Sequence, residues 1–168
     1  MQKIGPLLLL VISLTSCTHR YYVVRHAEKA APNATMSSDV PLSAEGEQRA
    51  LALKNLLLNK DIATIYATNY KRTRSTAAPL ATALNTEINL YNPSDTGFVN
   101  RLKILKNNTL IVGHSNTVDD LVNKLCNEVK VPADLKDSEY DNLYVIRYSR
   151  FFKTKITFKA LKYGAPSH

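Results

Sequence analysis

The stretch Thr109-Leu110-Ile111-Val112-Gly113-His114-Ser115-Asn116 decides the fold of this chain. Its first residues are apolar or β-branched and end at a glycine, a pattern typical of a strand that is buried on both faces. A helix is predicted directly afterwards, with Thr117 as its N-cap and Asp120 three residues on. Its apolar positions recur at helical spacing, at Val118, Leu121, Val122 and Leu125. A buried strand that passes into a helix through such a turn predicts an α/β protein.

Strand and helix patterns also alternate on the N-terminal side of this stretch. Strands are predicted at 20–24, 62–68 and 87–91, and helices after Ser43, from Arg72 to Leu84 and from Ser94 to Lys106. In the first of these helices the expected buried stripe is Ala50, Leu53, Leu56 and Leu57.

The C-terminal part changes character, because residues 143–148 and 153–162 both read as strands with no helix between them. Strands that alternate with helices favour a parallel sheet, whereas two consecutive strands favour a hairpin. The sequence therefore predicts a three-layer α/β sandwich. Its sheet is mostly parallel, helices cover both faces, and an antiparallel C-terminal hairpin forms one edge.

The N-terminus reads as a targeting segment. A charge at Lys3 precedes an apolar run from Leu7 to Leu14, which is too short for a membrane span of about 20 residues. Residues 1–16 are therefore predicted to be a signal peptide and 17–168 to be one domain. Leu14-Thr15-Ser16-Cys17 resembles the bacterial lipoprotein processing box, which implies a lipid on Cys17 and a location on the periplasmic side of an envelope membrane. Plain secretion with an incidental cysteine is the alternative.

Composition excludes several classes of protein. With 168 residues and only two cysteines, neither a disulfide framework nor a structural zinc site is expected. Cys126 reads as a small buried hydrophobe. The formal charge of +8 favours anionic partners. Nucleic acid is not expected among them, because the basic residues are not interleaved with aromatic ones as single-strand binding requires.

Four residues with guanidinium or imidazole side chains lie near the ends of predicted strands. Arg25 and His26 end the first strand, His114 ends the clearest one, and Arg72 lies at the start of the helix after the second. Ligands of open α/β sheets bind outside the carboxyl ends of the strands, so these side chains are expected to converge. Guanidinium groups bind phosphoryl oxygens in pairs, and a helix N-terminus also favours anions. The sequence predicts a cationic cup for a dianionic tetrahedral group such as phosphate.

These residues resemble the motifs of the histidine phosphatase superfamily, also called phosphoglycerate mutase-like. Its opening Arg-His-Gly or Arg-His-Ala corresponds to residues 25–27, and its Gly-His-Ser to residues 113–115. Between them lie Asp39, Leu42-Ser43 and Gly46 before a helix, and then Arg72-Thr73 with Thr76-Ala77. Four elements in the expected order make the resemblance specific.

The resemblance implies a metal-independent and cofactor-independent phosphatase. His26 would attack phosphorus to give a phosphohistidine, while Arg25, Arg72 and His114 bind the phosphoryl oxygens. The family also uses a carboxylic acid to protonate the leaving oxygen, and here Asp95, Glu28 and Glu87 remain open as candidates.

The predicted function is hydrolysis of a small phosphate monoester. Two alternatives remain: a protein phosphohistidine phosphatase, and a lipoprotein that binds a phosphorylated ligand without turning it over. Export argues against the first alternative, and the unassigned acid motivates the second.

Overall fold

The computed structural model describes residues 17–31, 39–150 and 152–167. The predicted signal peptide 1–16 lies outside these ranges, as do residues 32–38. The described elements, in chain order, are β1 (Cys17–Arg25), α1 (Ala44–Leu57), β2 (Ile62–Thr68), α2 (Lys71–Leu84), β3 (Ile88–Tyr91), α3 (Phe98–Ile104), β4 (Asn108–Gly113), α4 (Val118–Cys126), β5 (Asn142–Arg150) and β6 (Thr154–Lys162).

The strands form one sheet in the order β3-β2-β4-β1-β5-β6. The first four are parallel to one another, and β5 and β6 are antiparallel additions at one edge. Parallel neighbours need a crossover between them, and the helices α1 to α3 provide these crossovers. The predicted mixed sheet with an antiparallel edge hairpin is confirmed.

Helices cover both faces of the sheet. Alternate residues of β1 point to opposite sides, so Tyr21 and Val23 join the core beneath α3 and α4, whereas Tyr22 and Val24 join the core beneath α1 and α2. All four of these side chains are buried, as predicted for a strand covered on both faces. The three-layer arrangement is therefore confirmed.

Some local predictions were wrong. Leu56 is 40% exposed, so the buried stripe of α1 is Ala50, Leu53 and Leu57 without it. The third helix begins at Phe98 rather than Ser94, because Asn92 and Asp95 accept hydrogen bonds from nearby backbone N–H groups and hold the preceding residues in turns.

Thr117 is the N-cap residue of α4, as predicted, but its side chain does not cap the helix. The side chain of Thr117 makes no cap hydrogen bond to the helix and instead accepts one from the backbone N–H of His114 at 3.2 Å. Two other predicted helix ends are confirmed: Ser43 accepts a hydrogen bond from Gly46 N, and Asn85 ends α2 in the left-handed conformation.

Cys126 is buried, as predicted, and burial raises the pKa of its thiol. Within the described ranges, no helix has the length and apolar character that crossing a bilayer requires.

Candidate active site

All four residues predicted to form the cationic cup lie together at the carboxyl edge of the sheet. Strands β1 and β4 are parallel neighbours in which Arg25 and Gly113 are Cα partners, so His26 and His114 leave the sheet side by side. Their ring centroids are 5.4 Å apart. Together with Arg72 from the first turn of α2, they line a cavity of about 460 Å³.

His26 is held in one orientation by its own neighbourhood. Its backbone N–H donates to Gly113 O at 2.9 Å, which continues the β1–β4 ladder by one residue. Its Nδ1 lies 2.8 Å from Ala27 O. A carbonyl oxygen can only accept, so Nδ1 carries the proton and Nε2 keeps its lone pair. The next residue is also fixed, because the N–H of Ala27 donates to Thr76 Oγ1 at 2.9 Å.

The environment of His26 keeps its ring neutral. Burial lowers its pKa from the ordinary 6.5 to about 3, and the positive charges of Arg25 and Arg72 act in the same direction. The hydrogen bond to Ala27 O opposes this shift without cancelling it. Because a protonated imidazole has no lone pair to donate, the lowered pKa keeps His26 nucleophilic over the whole neutral range.

Arg25 is almost fully buried, at 2% exposure, and is held by the loop that precedes β5. Its Nη1 donates to the carbonyl oxygens of Lys136, Asp137 and Glu139, the shortest of these contacts being 2.7 Å. Its guanidinium lies 4.1 Å from the centre of the Tyr140 ring. The nearest carboxylate is that of the exposed Asp137, at 3.4 Å. Arg25 is therefore well oriented, but its charge is only weakly compensated.

Arg72 projects from the first turn of α2. Its guanidinium lies 4.5 Å from the centre of the exposed Tyr70 ring, and its Nη1 is 4.0 Å from Asp39 Oδ1. Asp39 also accepts a hydrogen bond from the N–H of Lys71 at 2.7 Å, so one carboxylate holds the start of α2 and the side chain of Arg72 in register. The helix start and the guanidinium both favour an anion in the cavity.

His114 connects Arg72 to two buried threonines. Arg72 Nη2 lies 3.5 Å from His114 Nδ1, and a guanidinium can only donate, so Nδ1 is the acceptor. The proton of His114 is then on Nε2, which lies 2.8 Å from Thr68 Oγ1. Thr68 donates onward to Thr73 Oγ1, and Thr73 donates to the carbonyl oxygens of Thr68 and Tyr70. The chain of hydrogen bonds fixes the orientation of the ring.

The charge balance of the cavity favours a bound anion. Burial, together with the positive charges of Arg72 and Arg25, lowers the pKa of His114 to about 4. A dianion bound between these groups would reverse that electrostatic effect and favour protonation of His114, which would then donate to it. The site is therefore built for a ligand whose negative charge complements two guanidiniums.

The sequence did not single out the residues that support the cup. Thr68 could have been found, because it is the last residue of β2 and so reaches the same sheet edge as Arg25 and His114. Tyr70 and Tyr140 carried no comparable signal. Each reaches an arginine through a loop whose path the sequence does not specify.

Glu28 lies in a separate cluster. Arg49 donates to both of its carboxylate oxygens at 2.6–2.9 Å, and Arg49 Nη1 donates to Tyr163 O at 2.9 Å. The backbone of Glu28 meets the start of α1, where a Cβ on Gly46 would come within 2.1 Å of Glu28 O. This contact requires the glycine of the Leu-Ser…Gly motif, and it makes Glu28 a positioning residue for the loop after His26.

The other two candidate acids also lie outside the cavity. The hydrogen bond from Arg101 at 2.5 Å lowers the pKa of Asp95, which keeps this carboxylate ionised, and Asp95 lines a neighbouring cavity with Thr117 and Lys124. Glu87 precedes β3 and therefore lies at the amino ends of the parallel strands, at the opposite end of the sheet from the cup. The carboxylates nearest to the cup are Asp39 and Asp137, each beside a guanidinium. Among the residues with described positions, no group of three His, Cys, Asp or Glu side chains is arranged to hold a metal ion.

The fold and the site together define an α/β protein with a cationic cup around a neutral, oriented histidine. Residues 21–92 match the model of the histidine phosphatase superfamily (branch 1), the family whose motifs the sequence resembles. This match supports a phosphatase of the histidine phosphatase type. No curated protein matches the chain.

Several solved structures share this fold at low sequence identity. The candidate phosphohistidine phosphatase SixA from Agrobacterium tumefaciens is 18% identical with a TM-score of 0.61, over 81% of this chain and 96% of that protein. The protein histidine phosphatase SixA in complex with tungstate is 17% identical with a TM-score of 0.61, over 85% and 96%. A mycobacterial glucosyl-3-phosphoglycerate phosphatase in complex with inorganic phosphate is 13% identical with a TM-score of 0.64, over 83% and 95%.

Proposed function

We propose that this protein is a metal-independent phosphomonoester hydrolase that acts through a phosphohistidine on His26. The observation that carries the proposal is the orientation of this ring. Nδ1 donates to Ala27 O at 2.8 Å, which leaves Nε2 as the nucleophilic nitrogen on the wall of a cavity that Arg25, Arg72 and His114 also line. The complexes of two structural neighbours with tungstate and with phosphate support a small phosphorylated substrate.

In the first step His26 Nε2 attacks the phosphorus atom of the ester. An N–P bond forms while the P–O bond to the leaving group breaks, and the leaving oxygen takes the electron pair. Arg25 and Arg72 bind the equatorial oxygens, and their fixed positive charges stabilise the dispersed negative charge of the transition state. Binding of the dianion favours protonation of His114, which then also donates a hydrogen bond to a phosphoryl oxygen.

In the second step water attacks the phosphorus of the phosphohistidine. An O–P bond forms as the N–P bond breaks, the electron pair of the N–P bond returns to Nε2, and the water loses a proton to solvent. The same cations hold the oxygens until phosphate is released. The nucleophile is regenerated as a neutral ring because its pKa of about 3 lies far below neutral pH.

The proton for the leaving oxygen does not come from Glu28, Asp95 or Glu87 in this proposal, since their side chains engage other groups or other edges of the fold. Solvent protonation is sufficient when the leaving group is a weak base. The substrates best served are therefore those with acidic leaving groups, such as aryl phosphates.

The likeness to SixA favours a protein phosphohistidine phosphatase as a second candidate, because the imidazole of such a substrate is also a leaving group of modest basicity. A protein that binds a phosphorylated ligand without turnover is the third possibility. A panel of phosphate esters and phosphohistidine-containing protein distinguishes the three.

The proposal includes export and a lipid anchor on Cys17, with the domain on the periplasmic side of an envelope membrane. It is supported by the apolar run Leu7–Leu14 and by the sequence Leu14-Thr15-Ser16-Cys17. Mass spectrometry of the protein recovered from bacterial membranes tests it: the expected chain begins at a lipidated Cys17, and an unmodified Cys17 would contradict the anchor.

The decisive experiment on the chemistry uses an aryl phosphate in the presence of EDTA. We expect hydrolysis by the unaltered protein and its loss in His26→Ala, and we expect a phosphorylated protein that survives a base quench but not an acid quench. The matched control is His19→Asn, which changes a buried histidine at the other end of β1. Tight phosphate binding without hydrolysis would instead identify a binding protein.

A further inference from the structure

The end of the sheet opposite the active site forms a distinct corner of the molecule. β1 and β5 extend beyond the start of β4, since Thr109 of β4 pairs with Tyr21 rather than with an earlier residue. Cys17 is the Cα partner of Arg150, and Arg150 also pairs with Thr154 at the start of β6. The predicted lipid site and the β5–β6 turn are therefore adjacent. We call residues 17–20 together with 147–150 and 152–157 the anchor corner.

The anchor corner presents an apolar side chain among cations. Phe152, in the β5–β6 turn, is 86% exposed, the largest exposure among the large hydrophobic side chains of the described residues. Arg150 and Lys153 flank it in the sequence, and Lys155 follows on β6, all three exposed. This combination is typical of a surface that rests in the headgroup region of a bilayer, where an aromatic ring enters the interface while Lys and Arg meet anionic lipids.

The charged side chains of β1, β5 and β6 are all positive. The sequence has no Asp or Glu from 17 to 27 or from 142 to 168. The strands of the corner add Arg20 and Arg147 to the three cations around Phe152. Charge complementarity therefore favours an anionic lipid surface over an acidic face of the same chain.

The corner is braced from inside, so it can bear on a surface as a rigid unit. His19 is buried and stacks on Tyr148 with ring centroids 5.4 Å apart. Tyr148 donates to Leu125 O, and Tyr21 donates to Leu102 O at 2.6 Å. These contacts tie the extended ends of β1 and β5 to the helices α3 and α4.

We infer that the anchor corner is a membrane-contact surface, in which Phe152 enters the interface and the surrounding cations bind anionic headgroups. A lipid on Cys17 would reach the same bilayer from the neighbouring strand, so that two attachments fix the orientation of the domain. The inference extends the proposed lipid anchor, yet Phe152 and its cations can be tested whether or not Cys17 is modified.

The full chain contains no tryptophan, which allows a single fluorescent reporter. Phe152→Trp reports the turn, and Leu161→Trp reports a 45% exposed position near the other end of β6. Both variants are placed in vesicles of phosphatidylcholine and phosphatidylglycerol in equal parts, with and without a lipid-attached quencher. We expect quenching of Phe152→Trp by roughly twofold and little quenching of Leu161→Trp. Equal quenching of the two, or none, would overturn the inference.

The role of charge is tested by Lys153→Gln with Lys155→Gln in the Phe152→Trp background. Quenching should fall towards its value in pure phosphatidylcholine vesicles, whereas the matched pair Lys159→Gln and Lys162→Gln, which removes the same charge from the other end of β6, should leave it unchanged. A reporter that is shifted to shorter wavelength but is not quenched by lipid would instead indicate a second copy of the chain against the β6 edge, and would refute the membrane contact.

The same vesicles separate this inference from the proposed function. Aryl phosphate hydrolysis should be unchanged in the variants of Phe152, Lys153 and Lys155, because the corner lies at the opposite end of β1 from His26. Mass spectrometry of the same samples reports whether Cys17 is lipidated. Loss of hydrolysis would therefore contradict the proposed active site, and an unmodified Cys17 would contradict the lipid anchor. Absence of quenching would contradict only the membrane contact of the anchor corner.

Discussion

Two buried arginines of this protein lie in contrasting electrostatic environments. Arg25 and Arg49 are 2% and 4% exposed, and each has a tyrosine ring beside its guanidinium. Arg49 is paired in bidentate fashion with Glu28, whereas Arg25 is held mainly by backbone carbonyl oxygens. A paired arginine stabilises a fold, while an oriented but weakly compensated one retains attraction for a ligand. We therefore expect Arg49 to have a structural role and Arg25 to take part in ligand binding.

The largest expected effect concerns His26, the proposed nucleophile beside Arg25. His26→Ala should lower kcat by about 10⁴-fold or more, because no neighbouring group replaces Nε2 as the attacking atom. Steady-state hydrolysis of an aryl phosphate measures it, with folding checked by circular dichroism. Substantial activity in this variant would mean that the cup acts without covalent catalysis.

Arg25→Met keeps the apolar bulk of the side chain and removes its charge. We expect kcat/KM to fall by about 10²–10³-fold, the usual cost of losing one oriented group that stabilises transition-state charge. Kinetics on the same aryl phosphate provide the measurement. If Arg25 serves only to fix the loop 136–139, kcat/KM per folded molecule will change little.

Arg49→Met should show the opposite pattern. The free energy of unfolding is expected to fall by about 3 kcal/mol, since the Glu28 carboxylate is left without its partner in a mostly buried position. Activity per folded molecule should stay within a small factor of the unaltered protein. Urea unfolding combined with kinetics tests both statements, and a loss of activity equal to that of Arg25→Met would erase the distinction between the two arginines.

The lowered pKa values of His26 and His114, about 3 and about 4, make stability depend on pH. The unfolded rings take up protons near pH 6.5 while the folded ones stay neutral, so stability is complete above that value and declines as the pH falls towards 4. Each ring should account for up to about 2 kcal/mol between pH 6.5 and pH 5. Urea unfolding at both pH values measures it, and His26→Asn should remove one share of the dependence.

The smallest effect is expected for the hydrogen-bond chain behind His114. Thr68→Val removes the acceptor of the His114 Nε2–H while keeping the shape of the side chain, and kcat/KM should fall about tenfold. Thr64→Val, on the same strand, is the control because its hydroxyl accepts from Asn107, away from the cup. Equal kinetics for the two variants would show that Thr68 does not position His114.

Much of the fold was predictable because hydrophobic periodicity and caps are local signals. The strand 62–68 and the end of α2 at Asn85 followed directly from the sequence. The convergence of Arg25, His26, Arg72 and His114 was also predictable, since parallel strands bring their carboxyl ends to one edge.

The sequence could not show which neighbouring groups pair with a given carboxylate in the folded protein. Asp95 follows a strand, like the residues of the cup, yet a turn with Gly97 and a hydrogen bond from Arg101 engage its carboxylate. Glu28 is separated from His26 only by Ala27, yet its carboxylate pairs with Arg49, which lies 21 positions further along the chain. Sequence proximity to a site does not decide which pairing wins, because that depends on tertiary contacts.

The weak compensation of the guanidiniums at the cup has a consequence for turnover. A cavity that attracts the phosphoryl group of a substrate also attracts the inorganic phosphate it releases, so we expect the product to compete with the substrate. It should also raise the melting temperature of the protein, since it binds only the folded state. Hydrolysis would then proceed fastest when the surrounding phosphate concentration is low. Phosphate bound beside the buried Arg25 would slow its own release from further substrate.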